Sequence, residues 1–339
     1  MKLLFGAVSA LAITFAVTPA SAQDTGTMGC DDGETVVKFS HVVADSGHPK
    51  GDAATLMAKR INEEMDGKLC MQVFPNSTLY DDNKVLEAML LGDVQMAAPS
   101  LSKFEAYTKA YRLFDRPFTF TSLDAVNRFS DTETGKNLLN IMEDQGYVGL
   151  GYMLSGLKQF SANKPLMTPE DAAGLKFRIQ TSDVYSAMME SLGASAQKLA
   201  FKEVYGALQT GVVDGQENSW CNIATQKFFE VQDGVTETNH GLLAYLTVTS
   251  SEFLDSLDED VRTQFLDIVN ASLREANEQV AQKEADCRQR IVDAGTEIRQ
   301  LDEGQLKMWQ DAMAPVYEKF GGDFGEEATA AALASNEGS

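Results

Sequence analysis

The chain has 339 residues, with 28 Lys and Arg against 50 Asp and Glu, for a formal net charge of −22. Such an excess of negative charge excludes nucleic acid and anionic membrane surfaces as partners, and any anionic ligand would need a local patch of positive charge. The apolar content of 44% is ordinary for a globular protein.

The chain opens "MKLLFGAVSALAITFAVTPASA": Lys2, an apolar stretch from Leu3 to Val17, then a small-residue cleavage site at Ala20, Ser21 and Ala22. This predicts a secretory leader over residues 1–22, the apolar run being short for a membrane span. The mature protein is expected to be exported and soluble, with no direct membrane insertion. Its length of about 317 residues suits two domains.

From Thr35, "TVVKFSHVV" reads as a strand, "PKGDAATLMAKRINEEMDG" as an amphipathic helix ended by Gly67, and "KLCMQVFP" as a second strand. "DDNKVLEAMLLG" is a helix and "DVQMAAPS" a third strand. The order βαβαβ implies a parallel sheet flanked by helices. "YVGLGYML" is strand-like and crosses between lobes. The βαβαβ order then returns: "GLKFRIQ", "SDVYSAMMESLG", "ASAQKL", "FKEVYGALQTG" and "VVDGQENS". "GLLAYLTVTSSEF" is strand-like, and residues 258–295 read as one long amphipathic helix bracing both lobes. "GQLKMWQDAMAPVYEKFG" is a further helix, and the tail past Gly321 looks frayed. The expected fold is α/β with two lobes, each a mostly parallel sheet flanked by helices. One lobe takes residues 33–155 and 244–283, the other 156–243 and 284–325, and 326–339 form a flexible tail.

Four cysteines follow the leader: Cys30, Cys70, Cys221 and Cys287. An even number in an oxidising compartment suggests disulfides, with three pairings possible. Cys30 and Cys70 flank segments read as neighbouring parallel strands, which favours Cys30–Cys70 and leaves Cys221–Cys287. No close cysteine pair suggests a metal site.

Enzyme signatures are missing: there is no HExxH, GxSxG or Walker A sequence, and the glycines of "GLGYMLSG" are wrongly spaced for a dinucleotide. No cofactor is expected. Ligands of open parallel sheets bind beyond the carboxyl ends of strands. Those ends are His41, Ser100, Arg178 and Asn218. Arg178 precedes a helix start, so its guanidinium and the helix N–H groups together suit a carboxylate; the strand pattern alone favours a solvated edge strand. Lys158 would suit a second carboxylate. Trp220 and Phe201 are apolar walls or core, Lys50 stands in the first turn of its helix, and His41 and His240 are more often structural than ligating.

The segments "KFSHVV", "PKG", "LEAMLLGDVQMAAPS", "LKQFSANKP", "GLKFRIQ", "EVYGALQTGVVDGQENSWCNI", "QKFFEVQ" and "TNHGLLAYLTVTS" resemble the solute-binding subunits of tripartite ATP-independent periplasmic (TRAP) transporters, in particular the DctP-type C4-dicarboxylate binders. The resemblance implies a periplasmic protein whose two lobes close on a ligand and then dock on a membrane permease. It puts the carboxylate-pairing arginine at Arg178, a second cation at Lys158, and the asparagine of "DGQEN" at Asn218. Phe201, His240 and Trp220 also carry over. "GYMLSG" and Cys221 depart from the family pattern. The expected ligand is a C4-dicarboxylate such as succinate, malate or fumarate, held by Arg178 and Lys158 with Lys50, hydrogen-bonded by Asn218, Ser100 and His41, and walled by Trp220 and Phe201. The protein is expected to be a monomer and not an enzyme. Rival readings are another organic acid, a secreted α/β enzyme, or a partner of a sensor kinase.

Overall fold

The computed structural model describes residues 29–337; the expected leader, with its cleavage site at Ala22, lies outside the described residues. Nine strands form one sheet: β1 (Thr35–Ser40), β2 (Leu69–Phe74), β3 (Met96–Ala97), β4 (Tyr147–Ala162), β5 (Lys176–Ile179), β6 (Ser195–Lys198), β7 (Gly215–Asn218), β8 (Gly234–Ser250) and β9 (Glu297–Gln300). Their order is β2-β1-β3-β8-β4-β7-β5-β6, with β9 on β8. At one end β1 runs parallel to both β2 and β3. At the other, β5 runs parallel to both β6 and β7. Each end is a βαβαβ unit of the kind the sequence predicts.

The middle of the sheet differs from expectation. β4 and β8 are 16 and 17 residues long and pair antiparallel from Tyr147↔Ser250 to Ala162↔Gly234. Both strands thus run from one half of the sheet into the other. They are buried along almost their whole length, so the alternation that marks a half-buried strand is missing and only their most apolar parts are visible in the sequence. Register shifts at Gly149/Gly151, Leu154/Gly156 and Lys158/Phe160 interrupt the pairing. Gly156 permits a close approach: a Cβ there would stand 2.1 Å from Glu284 Oε2. β9 was not anticipated; "EIRQ" is short and mostly polar.

The helix Pro49–Glu64 is capped by the His48 side chain and has proline in its first turn. Its Ala54, Met57, Ala58 and Ile61 share a helical face and join a core cluster with Phe39, Phe265 and Val269. The expected single brace is two helices, Glu259–Glu278 and Val280–Asp293. The break is at Gln279 (φ −92°, ψ −9°), whose N–H reaches Ala276 O, three residues back, at 3.1 Å. The first piece packs on Pro49–Glu64 and β4, the second on the helix Trp220–Thr225. The expected helix at 304–321 is likewise two, Glu303–Met313 and Pro315–Phe320, divided where Pro315 lacks an N–H. The tail expected to be flexible carries the helix Glu326–Ala334, with Ala328 and Ala332 buried against the helices Leu123–Asp131 and Glu133–Leu139.

Disulfides join Cys30 to Cys70 and Cys221 to Cys287. The first ties the segment before β1 to β2, and the second ties Trp220–Thr225 to the brace. Among the described residues, no helix is long and apolar enough to cross a membrane.

Candidate functional site

β5 lies inside the sheet between β6 and β7, not at an edge. Strand alternation places Lys176 in solvent, yet Arg178, two residues on, is only 1% exposed. Its Nε and Nη2 donate to Leu199 O at 3.2 and 2.9 Å, and its guanidinium carbon stands 5.9 Å from the centre of the Phe201 ring. Among the described residues, none bonds Nη1 and no carboxylate pairs with Arg178. Burial lowers its pKa to about 10 against the opposing pull of Glu217, Asp82 and Glu203, so it is cationic at neutral pH. A buried charge without a partner is costly. The adjoining helix start is not the free anion site the sequence suggested: the N–H groups of Asp183 and Tyr185 are taken by Glu105 and Ser182.

Arg178 lines a narrow cavity between the two halves. Gln180, Phe201, Asn218 and Asn222 share its wall from the β5–β7 half. Val43, Asp82, Lys103 and Tyr245 face them from the other half. A hydrogen-bond chain crosses between the halves and fixes Asn218. Lys50 N–H donates to His48 Nδ1 at 3.0 Å, so the His48 proton is on Nε2, which donates to Asn222 Oδ1 at 2.6 Å. Asn222 Nδ2 donates to Asn218 Oδ1 at 2.5 Å, and Asn218 Nδ2 to Gln216 Oε1 at 2.9 Å. Burial first, then the Lys50 charge, drives the His48 pKa down to about 3 and keeps the ring neutral. At the mouth, Lys202 Nζ is 3.2 Å from Asp81 Oδ2. The Tyr245 hydroxyl is buried near the Ser155 and Asn222 side chains.

A buried arginine with no counter-ion, on the wall of a cavity between two halves that share two strands, is the arrangement of a receptor for a small anion. The family model described as bacterial extracellular solute-binding protein, family 7, matches residues 39–323. The chain belongs to this family. It is 56% identical over 308 residues to the C4-dicarboxylate-binding periplasmic protein DctP of Vibrio cholerae serotype O1, covering 91% of this chain and 93% of that one. A TRAP periplasmic solute binding protein of Shewanella oneidensis, solved with bound succinate, is 45% identical with a TM-score of 0.88, covering 90% of this chain and 100% of that one. Another, from Pseudomonas aeruginosa PAO1 with bound L-malate, is 41% identical with a TM-score of 0.82, covering 84% and 99%.

In this family 7 protein, Arg178, Asn218 and Phe201 meet at the cavity, while other residues expected there lie behind its wall. Lys158 is fully buried, with Nζ 2.8 Å from Glu217 Oε2 and 3.7 Å from the Tyr185 ring centre. Burial alone would push Glu217 up, but Lys158 and His240 hold it below the usual carboxylate range. The Lys158 charge is therefore already answered, and it touches the cavity wall only by donating to Gln180 Oε1 at 2.8 Å. Ser100 Oγ accepts from Gln180 Nε2 at 2.7 Å. Lys50 Nζ donates to Ala98 O at 3.0 Å and sits 3.7 Å from the Tyr245 ring centre, behind the wall. Burial lowers its pKa to about 8 against the pull of Asp82. His240 stacks on Phe160 at 4.0 Å and bonds Thr238 Oγ1 at 2.7 Å. His41 is buried beside the Val43 backbone, 6.0 Å from the Phe39 ring centre. Trp220 packs in the core beneath Arg288, 5.4 Å from the ring centre.

Sequence reasoning missed Lys103, Gln180, Asn222 and Tyr245. Gln180 had a signal, since it stands two residues from Arg178 on the same strand face. Asn222 lies one helical turn beyond Asn218. Lys103, in the short turn Leu101–Phe104, and Tyr245, in the apolar run of β8, had none.

Proposed function

We propose that this chain is the extracytoplasmic receptor of a TRAP transporter. It captures a C4-dicarboxylate, such as succinate, malate or fumarate, in the Arg178 cavity and delivers it unchanged to a membrane permease. The observation that carries this reading is Arg178, a buried cation that no carboxylate of the described chain neutralises. A ligand carboxylate accepts two parallel hydrogen bonds from the guanidinium. The Asn218 amide, held by Asn222 and Gln216, donates beside it. Phe201 and Tyr245 exclude water, which strengthens the ion pair. The bonds between the halves, His48 to Asn222 and Lys202 to Asp81, exist only when the halves approach, so a ligand that adds contacts to both shifts the population toward closure. The family membership and the relatives named for C4-dicarboxylates support the same reading. One lobe takes residues 33–155 with 244–283, the other 156–243 with 284–325, and cleavage after Ala22 leaves the mature protein in the periplasm.

The test is a thermal-shift screen on protein unfolded and refolded to strip carried-over ligand. Ligand at about 100 times its Kd stabilises by about 2.7 kcal/mol, which for a chain of this size raises Tm by roughly 5 °C. Succinate, malate or fumarate should give that shift. A shift with sugar acids or aromatic acids alone would overturn the C4-dicarboxylate assignment.

A further inference from the structure

A dicarboxylate needs a second positive partner, and the cations around the cavity differ in whether they can supply one. Lys158 is paired with Glu217 at 2.8 Å and does not line the cavity. Lys50 is covered by the Tyr245 ring at 3.7 Å. Lys103 lines the cavity itself. Its Nζ donates to Asn83 Oδ1 at 2.7 Å and Thr181 Oγ1 at 3.1 Å. Both partners are neutral, and among the described residues no carboxylate pairs with it. An ammonium has three protons, so one remains for a ligand. Burial first lowers the Lys103 pKa, Asp82 opposes this, and the Arg178 charge lowers it further, so the two cations lie close enough to repel. Thr181, which holds Lys103, is three residues beyond Arg178. The contact therefore joins the cation of one half to the strand end of the other. An anion between Lys103 and Arg178 relieves their repulsion and draws the halves together.

We infer that Lys103, and not Lys158, anchors the second carboxylate of the ligand and thereby sets the preference for dicarboxylates over monocarboxylates. This rests on the dicarboxylate reading above. Lys158 acts as a positioning residue, holding Gln180 and Glu217 behind the wall.

The experiment is calorimetric titration of the stripped protein with succinate and with succinamate, in which an amide of the same shape replaces one carboxylate. Wild type should prefer succinate. Lys103→Gln should lose roughly 30-fold or more in succinate affinity, as for removal of one partner of a desolvated charge pair, with little change for succinamate. Lys103→Arg should restore the preference. Lys103→Gln keeping the wild-type ratio would overturn the inference, and loss of that ratio in the double variant Lys158→Met/Glu217→Gln would transfer the role to Lys158. Wild type that binds neither compound, or both equally, would overturn the dicarboxylate reading before any variant is measured.

Discussion

Arg178 and Lys158 are both buried cations in the β5–β7 half of the molecule, and they differ in what answers their charge. β7 lies between their strands. Successive residues of a strand face opposite ways, and on β7 Glu217 turns to Lys158 while Asn218 turns to the cavity. The Lys158 side is complete within the folded chain: an ion pair, an aromatic face and a glutamine carbonyl. Among the described residues the Arg178 side is incomplete: none bonds Nη1 and no carboxylate pairs with the guanidinium. A buried cation is therefore informative only once its partner is known. The first kind maintains the fold, and the second waits for an anion.

Substitution at Lys158 is expected to have the largest effect. Lys158→Met leaves Glu217 buried without its lysine and should cost about 3–5 kcal/mol of stability, read by denaturant unfolding without ligand. Lys158→Met/Glu217→Gln should recover much of that loss. A fully stable single variant would break the comparison. Arg178→Met should do the reverse: affinity for a C4-dicarboxylate falls by roughly 100-fold or more, while unliganded stability holds, because no ion pair is lost. Titration calorimetry and thermal unfolding on the same sample check both halves of that statement.

His48 adds a third treatment of a buried base, which is to keep it neutral. Its pKa is about 3 in the folded chain against the ordinary histidine value of 6.5. Below pH 6.5 the unfolded chain binds the proton that the folded chain refuses, so this group's contribution is constant above pH 6.5 and stability falls as pH drops toward 3. By pH 4.5 the loss should reach about 2–3 kcal/mol. His48→Asn keeps a capping acceptor and should lower the midpoint of acid unfolding; an unchanged midpoint would show that other groups control it. The smallest effect belongs to the rim. Lys202 is 56% exposed in its pair with Asp81, so Lys202→Ala should change affinity by about 0.5 kcal/mol or less, and less still at high salt.

The two parallel units were legible because each strand and helix carried its own period and its own caps. The long central pair was not, because residues buried on both faces have no period to display. The break at Gln279 left no local mark, and the helix Glu326–Ala334 is too rich in alanine to show a clear apolar stripe. At the site, strand-end position located Arg178 and Asn218, which share the cavity with Phe201. The family resemblance pointed also to Lys158, whose partner Glu217 stands in the same "DGQEN" segment that drew attention to Asn218. Whether a carboxylate elsewhere in the chain will neutralise a lysine is a property of strand order and register, and local patterns do not contain it. Lys103 was hidden for the same reason: an isolated lysine in a turn reads as a solvated one.

The shared β4–β8 ladder has a thermodynamic consequence. Two lobes linked by a flexible tether can melt one after the other, each with its own endotherm. Here the lobes share two continuous strands, β4 and β8, which pass from one lobe to the other still paired, from Tyr147↔Ser250 to Ala162↔Gly234. Melting one would fray the paired strands at the point where they enter the other. Calorimetry should accordingly show a single cooperative transition, with calorimetric and van't Hoff enthalpies in agreement. A fragment cut to contain one lobe would sever both long strands.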